Sequence, residues 1–579
     1  MSKESGSKSS AVDVEVNEAG EFFYSSSVNS NSSKSFLHRI DKVLRLQDED
    51  QQIRHSNPDL DPLPPHRRTW RGWQLACYWG SDMLQASALR TVVSYTELGL
   101  NTRMSLLSIA IGYLIVGIIL TFNGRFGVQY HVPFAVQGRA SYGYYFSYLM
   151  VLLRLIVGGI WYATNVYTGA ECVRSMIYAC WPSFHDVPNH LPTSANIDTQ
   201  LMTAYVIYFI ISLPFHYIRQ EKIQWIFTLK TVLVPGAFFA VLGWSLASLT
   251  DVSEIWEGDN SVHGSEFSWV FINCLSSSIS SYATLAVNVN DFTRYTDDKK
   301  APYIQIFVLP IFVIFTSCVG LTMAVASEQL WGSALWDPLL VFDNWTSKGG
   351  RAASFFLSLI FLFAQIGVNL SANCASAAND LNALLPRYIN IRRGQFIIAF
   401  VFAWGATPWN ILYGASSFIN FMDGYSIFLG PMAAIVTFDY YLVHGLKYDI
   451  REFYKTNGIY RYNKFGINWR AAIAFLCGFA PQLPGFAASV NSSIVLNENV
   501  LHFYYIGYFF NFPVTGIVYT VLSKLFPAKE TILQEAVTPD NIDFKREMSH
   551  SENPIYPEGF PEEEDFPEQF NGEEKILNA

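Results

Sequence analysis

Apolar residues in this chain come in about twelve runs of roughly 17 to 25 positions, spread between residues 67 and 527 and bounded by charged or turn-forming residues. The runs centre near Met83, Leu114, Gly158, Tyr208, Phe239, Ile279, Phe315, Gly367, Phe402, Met432, Cys477 and Phe512. A run of that length crosses a bilayer as a helix, because a helix satisfies its own backbone groups where no water is present. The pattern predicts an all-α polytopic membrane protein.

Some of these runs carry polar residues where a lipid-facing helix would hold only aliphatic ones. Residues 363–393 include Asn369, Asn373 and Asn379. The first run is interrupted by YWGSDMLQAS (Tyr78 to Ser87), with Asp82 and Gln85 at depth, and the sixth by NCLSSSISSYAT (Asn273 to Thr284). Side-chain amides at bilayer depth are costly unless they face a partner, a water-filled cavity or a ligand. The two interruptions correspond at an offset of five runs. So do Trp161 and Asn165 in the third run and Asn369 and Asn373 in the eighth, each pair one helical turn apart. Interrupted helices at matching places in two five-helix halves point to a transporter site near the bilayer midplane, where unwound backbone offers free N–H and C=O groups.

Trp161 supplies a large π-face and Asn165 both a donor and an acceptor, which suits a flat heterocycle with amide-like edges. For that pair alone, packing between helices remains an equal reading. Gln85 and Asn373 add amides at the same depth and move the balance toward a ligand cavity. Tyr282, in the break of the sixth run, is placed to close the other face of a sandwich around the ligand, although a core tyrosine is the commoner fate of the residue. Asp82 is a candidate proton carrier or an organiser of the unwound backbone. Lys230, in the fifth run, is either an internal ion-pair partner or a side chain that snorkels to the nearby face. Its position eight residues after Lys222 favours snorkelling.

Composition agrees with the membrane reading and separates the ends from the middle. Of 579 residues, 51% are hydrophobic and 16% aromatic, which is too apolar for a soluble protein of two or three domains. Residues 1–66, with the run SSSVNSNSSKS, read as a disordered N-terminal tail, and no signal-peptide pattern precedes it. Residues 528–579 read as a disordered acidic tail. From Thr531 onward it holds 13 acidic residues against three basic ones, a difference of −10 that equals the formal charge of the whole chain. The helical body is therefore near neutral, the low isoelectric point carries no information about a ligand, and no nucleic-acid partner is expected.

Lys and Arg concentrate in alternate loops, for example Arg125 with Arg139, Arg219 with Lys222, and Arg387 with Arg392 and Arg393. By the positive-inside rule those loops and both termini are cytoplasmic, and the sequons at Asn344 and Asn491 face outside. Seven scattered cysteines suggest neither a disulfide framework nor a metal cluster; Cys172 and Cys180 are close enough in sequence to be either bridged or free. The chain has no phosphate-cradling Gly loop, HExxH zinc site or nucleophile elbow, so it is read as neither an enzyme nor a pump, with no cofactor.

Several segments in order resemble the fungal uracil, uridine and allantoin permease branch of the nucleobase:cation symporter-1 family, over about Asn57 to Pro527. They are NPDLDPLPPHRRTW (Asn57 to Trp70), IWY (Ile160 to Tyr162), GAECVRSMI (Gly169 to Ile177), NDFTRY, AQIGVNLSAN, LLPRYINIRRG (Leu384 to Gly394), TPWN (Thr407 to Asn410), FGINWRA (Phe465 to Ala471) and PQLPGF (Pro481 to Phe486). The resemblance implies a LeuT-type fold of two inverted five-helix repeats plus two C-terminal helices, with helices 1 and 6 broken. It implies proton-coupled, alternating-access uptake of a uracil-, uridine-, allantoin- or purine-like heterocycle at the plasma membrane. Carried over residue by residue, its binding positions fall on Gln85, Trp161, Tyr282 and Asn373. The family usually has Gln where this chain has Asn165, and Gly where it has Ala163, so the substrate is not transferable from the best-known members. The hydroxyl pair that completes the sodium site of the bacterial hydantoin transporter falls on Gly367 and Val368, which favours a proton as the coupling ion. Thiamine or nicotinamide riboside uptake, as in a sister branch, and a non-transporting sensor are the alternative functions. The resemblance also implies ubiquitin-driven turnover through N-terminal lysines, here Lys34 and Lys42.

Overall fold

The computed structural model describes residues 14–16, 22–24, 46, 56–218, 224–491, 493–544 and 548. The chain divides into two units, Met1–Glu49 and Asp50–Ala579. In the first, Val14–Val16 pairs antiparallel with Phe22–Tyr24. The Ser/Asn-rich run, Lys34 and Lys42, Arg219 and Lys222, and the acidic cluster Glu562 to Asp565 lie outside the described residues.

The second unit is a helical bundle. In chain order its main helices are α1 (Gly72–Met83), α2 (Ala86–Glu97), α3 (Thr102–Tyr130), α4 (Phe134–Tyr142), α5 (Phe146–Cys180), α6 (Thr199–Ser212), α7 (Gln224–Ser248), α8 (Gly264–Ser280) and α9 (Ala283–Asn288). They continue with α10 (Gln305–Trp331), α11 (Lys348–Val368), α12 (Ser376–Leu384), α13 (Ile391–Gly405), α14 (Ala415–Phe438), α15 (Trp469–Phe479), α16 (Leu483–Val490), α17 (Glu498–Tyr505) and α18 (Gly507–Leu525). Polar residues set many of the starts. The side chains of Asn101, Asp198, Ser347 and Asn390 each accept a hydrogen bond from a backbone N–H three residues on, satisfying a donor that the first turn leaves free.

Eight helical spans among the described residues are long and apolar enough to cross a membrane, or nine if α17 and α18, bent by 69°, count as one. The remaining expected centres, Met83, Ile279 and Phe402, fall on shorter helices. At two of them the helix stops and restarts. Leu84 (φ −85°, ψ 81°) and Gln85 (φ −152°, ψ 163°) separate α1 from α2, and Ser281 and Tyr282 separate α8 from α9. Between α11 and α12 the chain never leaves helical geometry but widens into a π-helix, Asn369–Ala375.

Around these interruptions α5 packs on α6 and α11, α3 on α8 and α10, and α14 on α18. Small residues permit the closest approaches. A Cβ at Gly320 would sit 2.5 Å from the carbonyl oxygen of Leu89, so α10 can lie against α2 only with glycine there. Cys172 and Cys180 are free thiols, the first buried and the second exposed. They lie eight residues apart on one helix, about 12 Å along its axis, which a disulfide cannot span.

Both expected tail boundaries fall inside packed structure. Leu60 is fully buried, Asn57 Nδ2 donates to Asn382 Oδ1 at 2.5 Å, and the backbone N–H of Ile391 donates to Asp59 Oδ2 at 3.2 Å. At the other end Val537 N donates to the Tyr448 carbonyl at 2.9 Å, and Thr531 Oγ1 meets His444 Nε2 at 2.9 Å. Residues 56–66 and 528–544 thus belong to the body. Two leucines and four prolines stiffen and bury the first segment despite its polar composition.

Candidate functional site

The two helix breaks and the π-helix meet around a cavity of about 90 Å3. Gln85, Trp161, Asn165, Tyr282 and Asn373 all line it, and so does Asp82. They arrive from several features of the fold. Asp82 is in the last turn of α1 and Gln85 lies in the break just before α2; Trp161 and Asn165 share a face of α5; Tyr282 stands between α8 and α9; Asn373 is on the π-helix.

Their polar atoms are only partly committed to one another. Tyr282 Oη donates to Asp82 Oδ2 at 2.5 Å, joining the two breaks. Asn165 Nδ2 donates to the Trp161 carbonyl at 2.9 Å, and its Oδ1 accepts from Gln365 Nε2 of α11. Asn373 Nδ2 donates to Asn369 Oδ1 at 3.2 Å, and Asn369 Nδ2 donates to the Tyr162 carbonyl of α5 at 3.2 Å. Gln85 Oε1 and Thr284 Oγ1 are buried without a protein partner. Both residues line the cavity, so a small side-chain movement would let an occupant meet two polar atoms that are otherwise buried and unsatisfied.

The aromatic rings are oriented by their neighbours. Trp161 has Phe418, Phe421 and Tyr425 of α14 against it at 6.3, 5.4 and 6.1 Å, and Tyr282 has Trp79 and Tyr113 at 5.9 and 5.2 Å. Such edge and tilted contacts hold each ring without stacking it face to face.

Lys230 does not snorkel. It is fully buried, and its Nζ donates to the Ser81 carbonyl at 2.7 Å, one of the carbonyls freed where α1 ends. Its stem crosses α11 at Gly367, where a Cβ would lie 2.7 Å from Lys230 Cδ. Asp82 is near enough to interact with its charge. The direction of this side chain depends on a glycine 137 positions away, which the distance from Lys222 in sequence does not encode.

Two further residues belong to the site. Gln365 continues the polar stripe of Asn369 and Asn373 at the same spacing of four, a signal present in the sequence. Thr284 follows the break of the sixth span with no periodic signal of its own.

A family model described as permease for cytosine/purines, uracil, thiamine and allantoin matches residues 62–510. The chain belongs to that family. Among curated relatives of this permease, an uncharacterized permease of Schizosaccharomyces pombe is 46% identical over 83% of the chain and 86% of that protein. The allantoin permease of Saccharomyces cerevisiae is 33% identical over 83% of the chain and 78% of that protein, and the uracil permease of the same yeast is 33% identical over 81% and 76%. The inward-facing structure of Mhp1, a nucleobase-cation-symport-1 family transporter, superposes with a TM-score of 0.64 at 18% identity, over 86% of this chain and 99% of Mhp1. The permease therefore has the Mhp1 fold, and it is a multi-pass membrane transporter rather than an enzyme.

Proposed function

We propose that this permease imports a flat heterocycle with amide-like edges, of the uracil, uridine, allantoin or purine kind, together with protons and by alternating access. The observation that carries the reading is the convergence of Gln85, Trp161, Asn165, Tyr282 and Asn373 on one cavity whose wall leaves Gln85 Oε1 and Thr284 Oγ1 unpaired. Trp161 and Tyr282 hold the ring, and the amides of Gln85, Asn165 and Asn373 meet its edges. Amides recognise amide-like edges without the desolvation cost of a buried charge.

The coupling ion in this reading is a proton. Gly367 and Val368 bring no side-chain oxygen to α11, and the ammonium of Lys230 already occupies the Ser81 carbonyl beside them. While protonated, Lys230 repels sodium there, and Asp82 and Lys230 are left to exchange the proton. The basic loops support cytoplasmic termini, and a place in the plasma membrane is what the family resemblance implies.

The deciding experiment is uptake of radiolabelled uracil, uridine, allantoin, adenine and thiamine by the full chain in a transporter-deficient host, at two external pH values, with and without sodium. Saturable uptake of one of the first four that rises at acid pH and ignores sodium is expected. A sodium requirement defeats proton coupling, uptake of thiamine alone assigns the sister function, and binding without uptake makes the protein a sensor.

Two substitutions test the site. Asn373→Ala, delivered to the membrane, is expected to lose about 1–3 kcal/mol of ligand binding, about a fivefold to hundredfold rise in KM. Parent-like kinetics would remove Asn373 from the site. Thr284→Val keeps the shape and deletes the hydroxyl, and should raise KM a few-fold, about 1 kcal/mol, with Vmax retained. An unchanged KM would mean that Thr284 does not touch the ligand.

A further inference from the structure

The buried carboxylates of the bundle mostly have a basic partner. Among the described residues, Glu171 and Asp337 share Arg90, Asp380 takes Arg154, and Asp439 takes His444. Asp423, eight residues into α14, has no ion-pair partner among the described residues and, unlike Asp291, which accepts from Asn288 and from the Phe134 N–H, it has one hydroxyl contact. It is buried, it stands outside the lining of the cavity, and its Oδ1 contacts Ser277 Oγ of α8 at 2.5 Å.

The titratable groups that face Asp423 are Tyr95 of α2, Cys274 of α8, Tyr425 of its own helix, and Tyr504 and Tyr505 of α17. None brings positive charge. His502, also on α17, stacks instead on Trp269 with ring centroids 4.3 Å apart. An ionised carboxylate enclosed at bilayer depth with one hydroxyl for company is strongly disfavoured, whereas the neutral acid fits the same space.

The place of this acid connects it to the cavity. Three residues beyond Ser277, the Ser280 carbonyl at the end of α8 accepts from Tyr425 Oη at 2.7 Å. Asp423 and Tyr425 therefore grip the last turn of α8 immediately before Ser281 and Tyr282, and the neighbouring Met422 lines the cavity. If the proton leaves Asp423 for water, the carboxylate must reach solvent, and the contact between α14 and α8 has to part.

We propose that Asp423 is a second proton-binding site, separate from Asp82, that keeps α8 seated on α14 while its proton is bound. The proposal rests on the transport reading for its consequence in coupling, but the proton itself is detectable without any substrate.

Infrared difference spectra of the purified full chain, across a pH titration, are expected to show the C=O stretch of a protonated carboxylic acid. The band should vanish in Asp423→Asn, persist in Asp82→Asn, and shift in frequency in Ser277→Ala, which removes its hydrogen-bond partner. The Ser277→Ala spectrum decides the matter if Asp423→Asn does not fold. In uptake assays Asp423→Asn should follow external pH with one fewer proton, its logarithmic slope lower by about one. A band unchanged by Asp423→Asn, or unmoved in Ser277→Ala where that variant has to decide, overturns the site. A band lost with the parental pH profile kept overturns its part in coupling. Absence of uptake of every heterocycle in the panel overturns the transport reading instead, with the infrared result unaffected.

Discussion

Lys230→Met is expected to lower pH-dependent uptake by about a hundredfold or more while the protein still reaches the membrane. The Lys230 Nζ donates to the Ser81 carbonyl and is near enough to Asp82 to interact with its charge, so its loss leaves that carbonyl without its donor and Asp82 with Tyr282 alone in a buried place. Removing one member of such a buried set costs about 3–5 kcal/mol, and each 1.4 kcal/mol is about tenfold in rate or population. Methionine keeps the length of the stem and its packing on Gly367, which separates lost charge from lost volume. The measurement is initial-rate uptake at two pH values, normalised to surface-delivered protein, with KM taken separately. A coupling role predicts collapse of Vmax and of the pH response with KM nearly kept. Parental Vmax and pH response in Lys230→Met would remove Lys230 from coupling altogether.

How far the sequence foretold this arrangement depends on the range of the forces involved. Asp82, Gln85 and Tyr282 stand out because polar residues in an apolar run are a local anomaly, and the helix ends at Met83 and Ser280 lie within those same anomalies. Trp161, Asn165 and Asn373 stand out by helical spacing together with resemblance. For Lys230 the sequence leaves an inward partner and snorkelling open and favours the wrong one of the two, since whether a lysine turns inward depends on what the opposite helix offers, here the bare backbone of Gly367. The π-helix at Asn369–Ala375 likewise has no local sequence signature. The segment 56–66 looked like tail because its composition is polar and proline-rich, yet Asn57 and Asp59 find partners on Asn382 and Ile391, more than 300 residues away. Local pattern reports depth and period; it does not report which distant partner satisfies a polar group.

Arg154→Met is expected to destabilise the protein by about 3–5 kcal/mol, because it strands a carboxylate in the core. Arg154 is fully buried; its Nε donates to Asp380 of α12 and its Nη1 to Ser376 Oγ at 2.5 Å. Asn288, at the end of α9, donates to Ser376 Oγ at 2.5 Å and to Asp291 at 2.8 Å, and Asp291 in turn accepts from the first N–H of α4 at 3.0 Å. Along α5, Arg154 lies two turns before Trp161, while Glu171, paired with Arg90 and so with Asp337, lies nearly two turns beyond Asn165. Ionic clusters therefore lie on α5 to either side of Trp161 and Asn165; the Arg90 cluster ties α5 to α2, which lines the cavity, and the Arg154 cluster reaches the cavity-lining α9 through Ser376 and Asn288. Thermal unfolding of the detergent-solubilised chain should show the loss for Arg154→Met and recovery of most of it in Arg154→Met with Asp380→Asn, since the second change removes the stranded charge. A single variant that melts with the parent would mean that Asp380 carries no charge for Arg154 to answer. A single and a double variant equally destabilised would place the loss in packing instead. Recovery of stability without recovery of uptake would show that this pair serves the movement between states and not merely the cohesion of one of them.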